Sequence, residues 1–365
     1  MSETAAGTRL TKSTLVTVSH AIERAALASA EDGPLAVIAL FQRLPYFERE
    51  RAVYEQIAKH SAVAVVGVVA DRVPDLPAGP HAVTLDEQED LAREWAVVVL
   101  TPRFGAVLVA YDREEVEAGH ATLESGRLFD GWWRFRRDDA LHEMIRLRRA
   151  LGDRLPPAAR SAIDDVVARV RELPPAPGES RADASVRMLV DRSERDRARL
   201  RELRRPDTAP DAPGDGLTSE AGIRRWTGTD GVTASGTLPV ALLGIRVEAP
   251  GTTTERWGRR AAALQREGLV GVLTALLRPA DRATRIGDDE YLLVLPALPY
   301  DEALALAYRV GIDLAAAAER NPFLAVRPTV AVGVTRDRPL PVDRIHAALD
   351  WAVAEGVPVA TLNES

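Results

Sequence analysis

The densest set of chemically competent side chains lies in Arg278-Pro-Ala-Asp281-Arg-Ala-Thr-Arg285-Ile-Gly287-Asp288-Asp289-Glu290-Tyr291. Gly287-Asp288 is a turn signal, so Ile286 and Tyr291 are expected to flank a hairpin bend. Such a bend would present Asp288, Asp289 and Glu290 together. Adjacent carboxylates repel one another, and a magnesium ion with oxygen ligands would relieve that repulsion. A solvated acidic turn is the alternative, because surface turns often hold acids. Upstream, Leu264 to Leu277 has helical apolar spacing, and Leu292 to Leu295 reads as a buried strand.

A second set of groups suits ligand contact. Gln42, Arg43, Tyr46, Glu94, Trp95, Trp132, Trp133 and Arg136 place aromatic rings near arginines. Such groups build stacked or cation–π pockets, or pack a sheet edge with their charged tips in water. No nucleophile–base–acid arrangement is legible among them. His20 with Glu23 reads as a surface pair. The six histidines have no metal-ligand spacing, and each reads as a surface or locally paired residue. Neither a catalytic residue, a metal nor a cofactor is expected.

The chain that must position these groups has 365 residues, enough for two domains, and its 46% hydrophobic content supports sizeable cores. The formal charge of -7 supplies no basic field for direct nucleic-acid binding. Cysteine is absent, which removes disulfides and thiolate chemistry and suits a cytoplasmic location. No signal-peptide core stands at the start, and no apolar run approaches a membrane span.

The expected organisation is α/β (α+β), with two mixed-sheet domains and a helical connector. Residues 1–9 read as a flexible start and 10–151 as a first domain. Within it, helices are expected over Leu10 to Ala28, Arg49 to His60 and Asp138 to Leu151. Strands are expected over Leu35 to Phe41, Ala62 to Ala70, Trp95 to Leu100 and Gly105 to Tyr111. Leu128 to Arg136 is a strand or turn, Val73 to Pro80 a loop, and Leu85 to Arg93 a short helical turn. Residues 152–214 read as a connector: helix Pro156 to Leu173, a charged helix Arg181 to Arg205 with a thin apolar thread, and the flexible boundary Pro206 to Gly214. The charged helix could join domains or self-associate, so a homodimer or a signalling partner is expected. Residues 215–365 form the second domain. Its strands are expected at Leu238 to Val247, Tyr291 to Pro296, Arg327 to Thr335 and Pro358 to Leu362. Its helices are expected over Glu255 to Leu277, Tyr300 to Arg320 and Val342 to Glu355.

Two resemblances give these domains a context. Ser13-Thr14-Leu15, Ser19-His20-Ala21-Ile22-Glu23, Phe41-Gln42-Arg43, Glu94 to Leu100 and Phe129-Asp-Gly-Trp132 resemble the DICT sensory domain over roughly residues 9–151. That likeness implies signal sensing and leaves the ligand unspecified. Arg278-x-x-Asp281 followed by Gly287-Asp288-Asp289-Glu290-Tyr291 resembles the GGDEF domain of diguanylate cyclases. Support comes from Val330-Ala-Val-Gly333 and from Ala348, Leu349, Ala352 and Gly356, over roughly residues 215–362. The likeness implies a nucleotidyl-cyclase-like fold.

The family's chemistry does not transfer. Arg246 stands where the family places a metal-binding aspartate, with Glu248 at the second acidic position. A guanidinium cannot ligate a metal; Arg246 would repel the cation or pair with Asp289 in its place. Thr254 and Ala263 fall on guanine-contacting positions, and Val353 falls on a phosphate-contacting lysine. Asp288 replaces a glycine beside the phosphates. Phosphoryl transfer needs charge neutralisation, so the resemblance implies a non-catalytic signalling module. Arg278 and Asp281 match the family's cyclic di-GMP-binding pair, and Arg285 could add positive charge; an i,i+3 surface pair is the alternative. Open alternatives are an enzyme using Glu248, Asp289 and Glu290, a structural or dimerising adaptor, and a regulator reaching DNA through a partner.

Overall fold

The computed structural model describes residues 8–29, 32–70, 79–203, 216–228, 238–248, 253–321, 324 and 326–362. The chain divides into two compact units, Met1–Arg113 with Arg127–Leu203, and Glu114–Gly126 with Arg204–Ser365. Both are mixed α/β, as expected. Among the described residues, no helix is long and apolar enough to cross a membrane.

The first unit contains, in chain order, β1 (Thr8–Thr11), α1 (Lys12–Ala28), β2 (Ala36–Phe41), α2 (Leu44–His60), β3 (Val63–Val69) and β4 (His81–Leu85). There follow β5 (Glu94–Leu100), β6 (Gly105–Val116), β7 (Arg127–Arg134), α3 (Arg137–Leu151), α4 (Pro157–Glu172) and α5 (Glu179–Leu203). The sheet order is β1-β7-β6-β5-β2-β3-β4. β3 runs parallel to β2 and to β4, and β5 is antiparallel to both β2 and β6.

Strand parity explains the two-sided core. Ile38, Leu40, Ala96 and Val98 face one side, packed with Met144, Leu147, Ile163, Val166 and Val170 of α3 and α4. Val37, Ala39, Phe41, Val97 and Val99 face the other, packed with Leu15, Val18, Ile22, Phe47, Tyr54 and Ile57 of α1 and α2. Side chains alternate across a strand, and a sheet covered on both faces therefore reads as a continuous apolar run.

Several local expectations change. The first helix begins two residues late because Thr8–Thr11 pairs with β7, and the Thr11 hydroxyl then caps α1 by accepting from the Thr14 amide. α2 starts at Leu44, five residues early, with proline in its first turn, where its missing N–H costs nothing. Edge strand β4 was not anticipated: its short polar–apolar pattern carries little periodic signal, and pairing with β3 completes it. Residues 73–78 of the expected loop, most of the 1–9 start and the Pro206 to Gly214 boundary lie outside the described residues. α4, expected in the connector, supplies core side chains to the first sheet.

The second unit contains α6 (Glu220–Thr227), β8 (Val240–Glu248), α7 (Thr253–Ala275), β9 (Arg282–Arg285), β10 (Glu290–Pro296), α8 (Tyr300–Arg320), β11 (Arg327–Thr335), α9 (Val342–Glu355) and β12 (Val359–Thr361). Its sheet order is β12-β11-β8-β10-β9, with β8 antiparallel to both β10 and β11. α8, β11 and α9 have the bounds expected from the sequence. α7 is broken at Gly258, whose φ of 80° favours glycine.

Residues 114–126 belong to this unit. Leu123 is buried with Ile223, Trp226, Leu238 and Val240, and its amide donates to the Trp226 carbonyl at 2.8 Å. α9 lies hard against β8, since a Cβ on Gly244 would come within 2.2 Å of the Ile345 side chain. That close approach brings the α9 side chains within reach of the strand end where Arg246 sits.

Candidate functional site

In the first unit, α1, the β2–α2 turn and β5 enclose a cavity of about 250 Å³. Lys12, Val16, Ser19 and His20 come from α1; Phe41 and Gln42 from the end of β2; Tyr46, Arg49 and Glu50 from α2; Trp95 from β5. The α1 residues are spaced four, three and one apart, which keeps them on one side of the helix. Polar groups thus line a space beside the apolar core.

One end of the cavity gathers basic side chains. The Lys12 ammonium is buried and lies 3.9 Å from the centre of the Tyr46 ring. Burial, then Arg127 and Arg49, holds its pKa well below the usual lysine value. The Tyr46 hydroxyl accepts from Arg127 Nη1 at 3.3 Å, and Gln42 Nε2 donates to the Arg93 carbonyl at 2.9 Å.

The other end holds carboxylates and an imidazole. His20 Nε2 lies 3.0 Å from Glu50 Oε1. Glu23 is only 2% exposed, and its Oε1 accepts from the Ser19 hydroxyl at 3.1 Å and the Tyr54 hydroxyl at 3.3 Å. Burial, reinforced by Glu50, raises the Glu23 pKa from 4.5 to about 7. One ligating atom from each of His20, Glu23 and Glu50 can be chosen so that all lie within 4.8 Å of one another. The expected His20–Glu23 surface pair is therefore corrected: the imidazole pairs with Glu50, and Glu23 is interior.

Of the sequence-derived pocket residues, Gln42, Tyr46 and Trp95 line this cavity. The other five are elsewhere. Arg43 reaches Glu87 at 2.6 Å on the surface. Glu94 is buried against Arg146 and accepts from the Tyr111 hydroxyl at 3.1 Å. Trp132 packs on the α3/α4 side and Trp133 on the α1/α2 side. Arg136 faces Asp139 at 3.7 Å. Neighbours on a strand point to opposite faces, so Glu94-Trp95 and Trp132-Trp133 cannot each line one space. The missed residues are Lys12, Val16, Ser19, His20, Phe41, Arg49 and Glu50. Polar positions recurring on the packed side of α1 were the available signal.

In the second unit the hairpin forms where expected, between β9 and β10, with Tyr291 opposite Arg285. Its acids do not act together. Asp288 and Asp289 are exposed, whereas Glu290 begins β10 opposite Arg246 of β8. Arg246 Nε donates to Glu290 Oε1 at 2.6 Å, and Nη2 donates to Asp350 Oδ1 at 2.7 Å. His346 Nδ1 lies 2.8 Å from Glu290 Oε2. Arg246 thus pairs with Glu290 and Asp350, not with Asp289 as expected. Asp289 meets β8 only through its backbone, where its carbonyl accepts from the Val247 amide at 3.0 Å. His346 and Asp350 were not foreseen: they are four apart on α9 and reach the strand end because α9 packs closely on β8.

Arg285 is spent on the bend itself. It donates to the Gly287 carbonyl at 2.8 Å, to the Asp288 carbonyl, and to Asp288 Oδ1 at 3.2 Å. It does not join Arg278 as an added positive charge. Arg278 donates from Nε to Asp281 Oδ2 at 3.0 Å, from Nη2 to Oδ1 at 2.9 Å, and from Nη2 to the Pro296 carbonyl at 2.7 Å. The Arg278 amide also donates to Asp281 Oδ2, and Asp281 is buried. The i,i+3 pair is present, with Arg278 exposed and Asp281 buried, and it also ties the start of β9 to the end of β10. Ala263 is exposed on α7 and Val353 half-buried on α9. The side chains of Glu248 and Thr254 lie outside the described residues.

Residues 2–113 match the family model described as DICT, "Sensory domain in DIguanylate Cyclases and Two-component system". This chain carries a DICT domain. Every residue lining the cavity falls inside the matched segment. Solved structures similar to the chain include the GGDEF domain of DgcB from Caulobacter crescentus in complex with c-di-GMP. It is 15% identical, with 43% of this chain and 98% of that one covered and a TM-score of 0.36. Another is the diguanylate cyclase SiaD in complex with its activator SiaC, from Pseudomonas aeruginosa. It is 20% identical, with 62% and 88% covered and a TM-score of 0.36. A third, the active GGEEF domain of a Vibrio cholerae diguanylate cyclase, is 14% identical, with 35% and 86% covered and a TM-score of 0.30. No curated protein matches the chain. The match to a sensory domain supports a signalling role.

Proposed function

We propose that this chain is a non-catalytic signalling protein. Its DICT cavity receives a small molecule, and its GGDEF-like unit passes the signal on without joining nucleotides. The observation that carries the non-catalytic reading is the Arg246 network. At the strand position where the resembled cyclases hold a metal-binding aspartate, a guanidinium engages Glu290 and Asp350. A bound cation there would face a positive charge and lose Glu290 as a free ligand. The cavity supports the sensory reading, because it pairs an apolar wall with a few convergent polar groups.

The test incubates purified full-length protein with GTP and magnesium or manganese and analyses the products. No cyclic di-GMP is the expected outcome; its accumulation, abolished by Asp289→Asn, would overturn the non-catalytic reading. The Arg278–Asp281 clamp speaks against a cyclic di-GMP receptor, since Nε and Nη2 of Arg278 are already committed within the unit. Calorimetric titration with cyclic di-GMP is expected to show no saturable binding. Micromolar binding lost in Arg278→Ala would reinstate the receptor.

A further inference from the structure

We propose that His20, Glu23 and Glu50 form a site for one divalent transition-metal ion, of the zinc or manganese class, in the wall of the DICT cavity. The donor set is one imidazole and two carboxylates, which suits these ions and leaves further coordination positions open. His20 and Glu23 stand one turn apart on α1, on adjoining positions of the same helix side. Glu50 approaches from α2, and suitable ligand atoms of all three lie within 4.8 Å of one another. Metal bonds of about 2.0–2.2 Å require the donors to draw somewhat closer together, which side-chain rotation can supply for the half-buried His20 and Glu50.

Two further observations point to a cation. Glu23 is an interior carboxylate whose Oε1 is held by the Ser19 and Tyr54 hydroxyls, the kind of outer partner that orients a metal ligand. A buried carboxylate facing a second carboxylate is costly unless positive charge is supplied. The cavity itself is lined by Ser19, His20 and Glu50, so an ion would have an entry path and room for water or for a donor atom of a cavity ligand. Lys12 lies eight residues from His20 on α1, roughly 12 Å along the axis, so its amine stands well away from the three ligands. The site deepens the sensory reading of this cavity but stands on its own side chains.

The experiment uses full-length protein stripped with EDTA and titrated calorimetrically with zinc chloride and, separately, manganese chloride. One equivalent should bind, and His20→Ala and Glu50→Gln should each weaken it at least tenfold while circular dichroism stays that of the parent. Zinc-edge absorption of the loaded protein should show a nitrogen and oxygen shell at about 2.0–2.1 Å. Absence of uptake, or uptake unchanged in both variants, would overturn the proposal. Glu50→Gln is isosteric at a half-buried position, so the test survives a misfolded His20 variant. Small-molecule binding is read separately, by tryptophan fluorescence. A ligand that binds the EDTA-stripped chain while no ion binds would sink the metal site and leave the sensory cavity standing.

Discussion

The DICT cavity and the second unit's hairpin each gather charged side chains from several elements, yet they end in opposite states. At the hairpin, Arg246 closes on Glu290 and Asp350, Arg285 on the bend carbonyls, and Arg278 on Asp281. The charges there neutralise one another. In the DICT cavity, Lys12 and Arg49 stand toward one end and His20, Glu23 and Glu50 toward the other, around about 250 Å³ of space. A set of reactive residue types becomes a binding site only when their mutual geometry leaves both charge and room for a ligand. By that criterion the cavity of the first unit is the candidate site, although the second unit has the denser run of charged residues.

The largest expected effect tests the cavity side of this contrast. Glu23 faces Glu50, His20 and the Ser19 and Tyr54 hydroxyls, and its pKa is raised in the folded chain to about 7. A raised carboxyl pKa favours the protonated folded state, so stability is greatest below the unfolded value of about 4.5. It is lost as pH rises through about 7. In EDTA, Glu23→Gln should abolish that decline and leave the variant more stable by about 3 kcal/mol at pH 8. Urea denaturation across pH 4 to 8 reads this directly, and parallel curves for the two proteins would remove the strained carboxylate from the argument.

The closed side comes next. Asp281→Ala should cost about 2 kcal/mol, because a buried acceptor of three Arg278 donors is lost. An unchanged melting temperature would mean that the pair is not a structural clamp. Arg246→Met should cost less, about 1 kcal/mol, since its partner Asp350 is exposed and solvent screens the pair. If that variant gains magnesium binding at the hairpin, the guanidinium alone was closing the site. Smallest is Val16→Phe at the cavity wall, expected to shift stability by less than about 0.5 kcal/mol. It should nonetheless block whatever small molecule the parent binds, as read by fluorescence titration; undiminished binding would move the sensory site away from this cavity.

Much of the second unit was legible from sequence. The bounds of α8, β11 and α9, and the bend after β9, follow from apolar periodicity and turn residues, which are local signals. Four strands of the first sheet, β2, β3, β5 and β6, were legible for the same reason, and their continuous apolar runs announced a sheet covered on both sides. The site was less legible. Trp132, Trp133, Glu94, Arg43 and Arg136 have suitable chemistry, but strand parity and local ion pairs send them elsewhere.

The sequence by itself determined most of the helices and the central strands, and which of those strands are buried on both faces. Tertiary structure alone decided the partners. His20 meets Glu50 across 30 residues, and Arg246 meets Asp350 across 104. The physical reason is that periodicity reports which side of an element is buried but not which element buries it. Burial of Glu23 between α1 and α2, and the press of α9 on Gly244, are properties of packing.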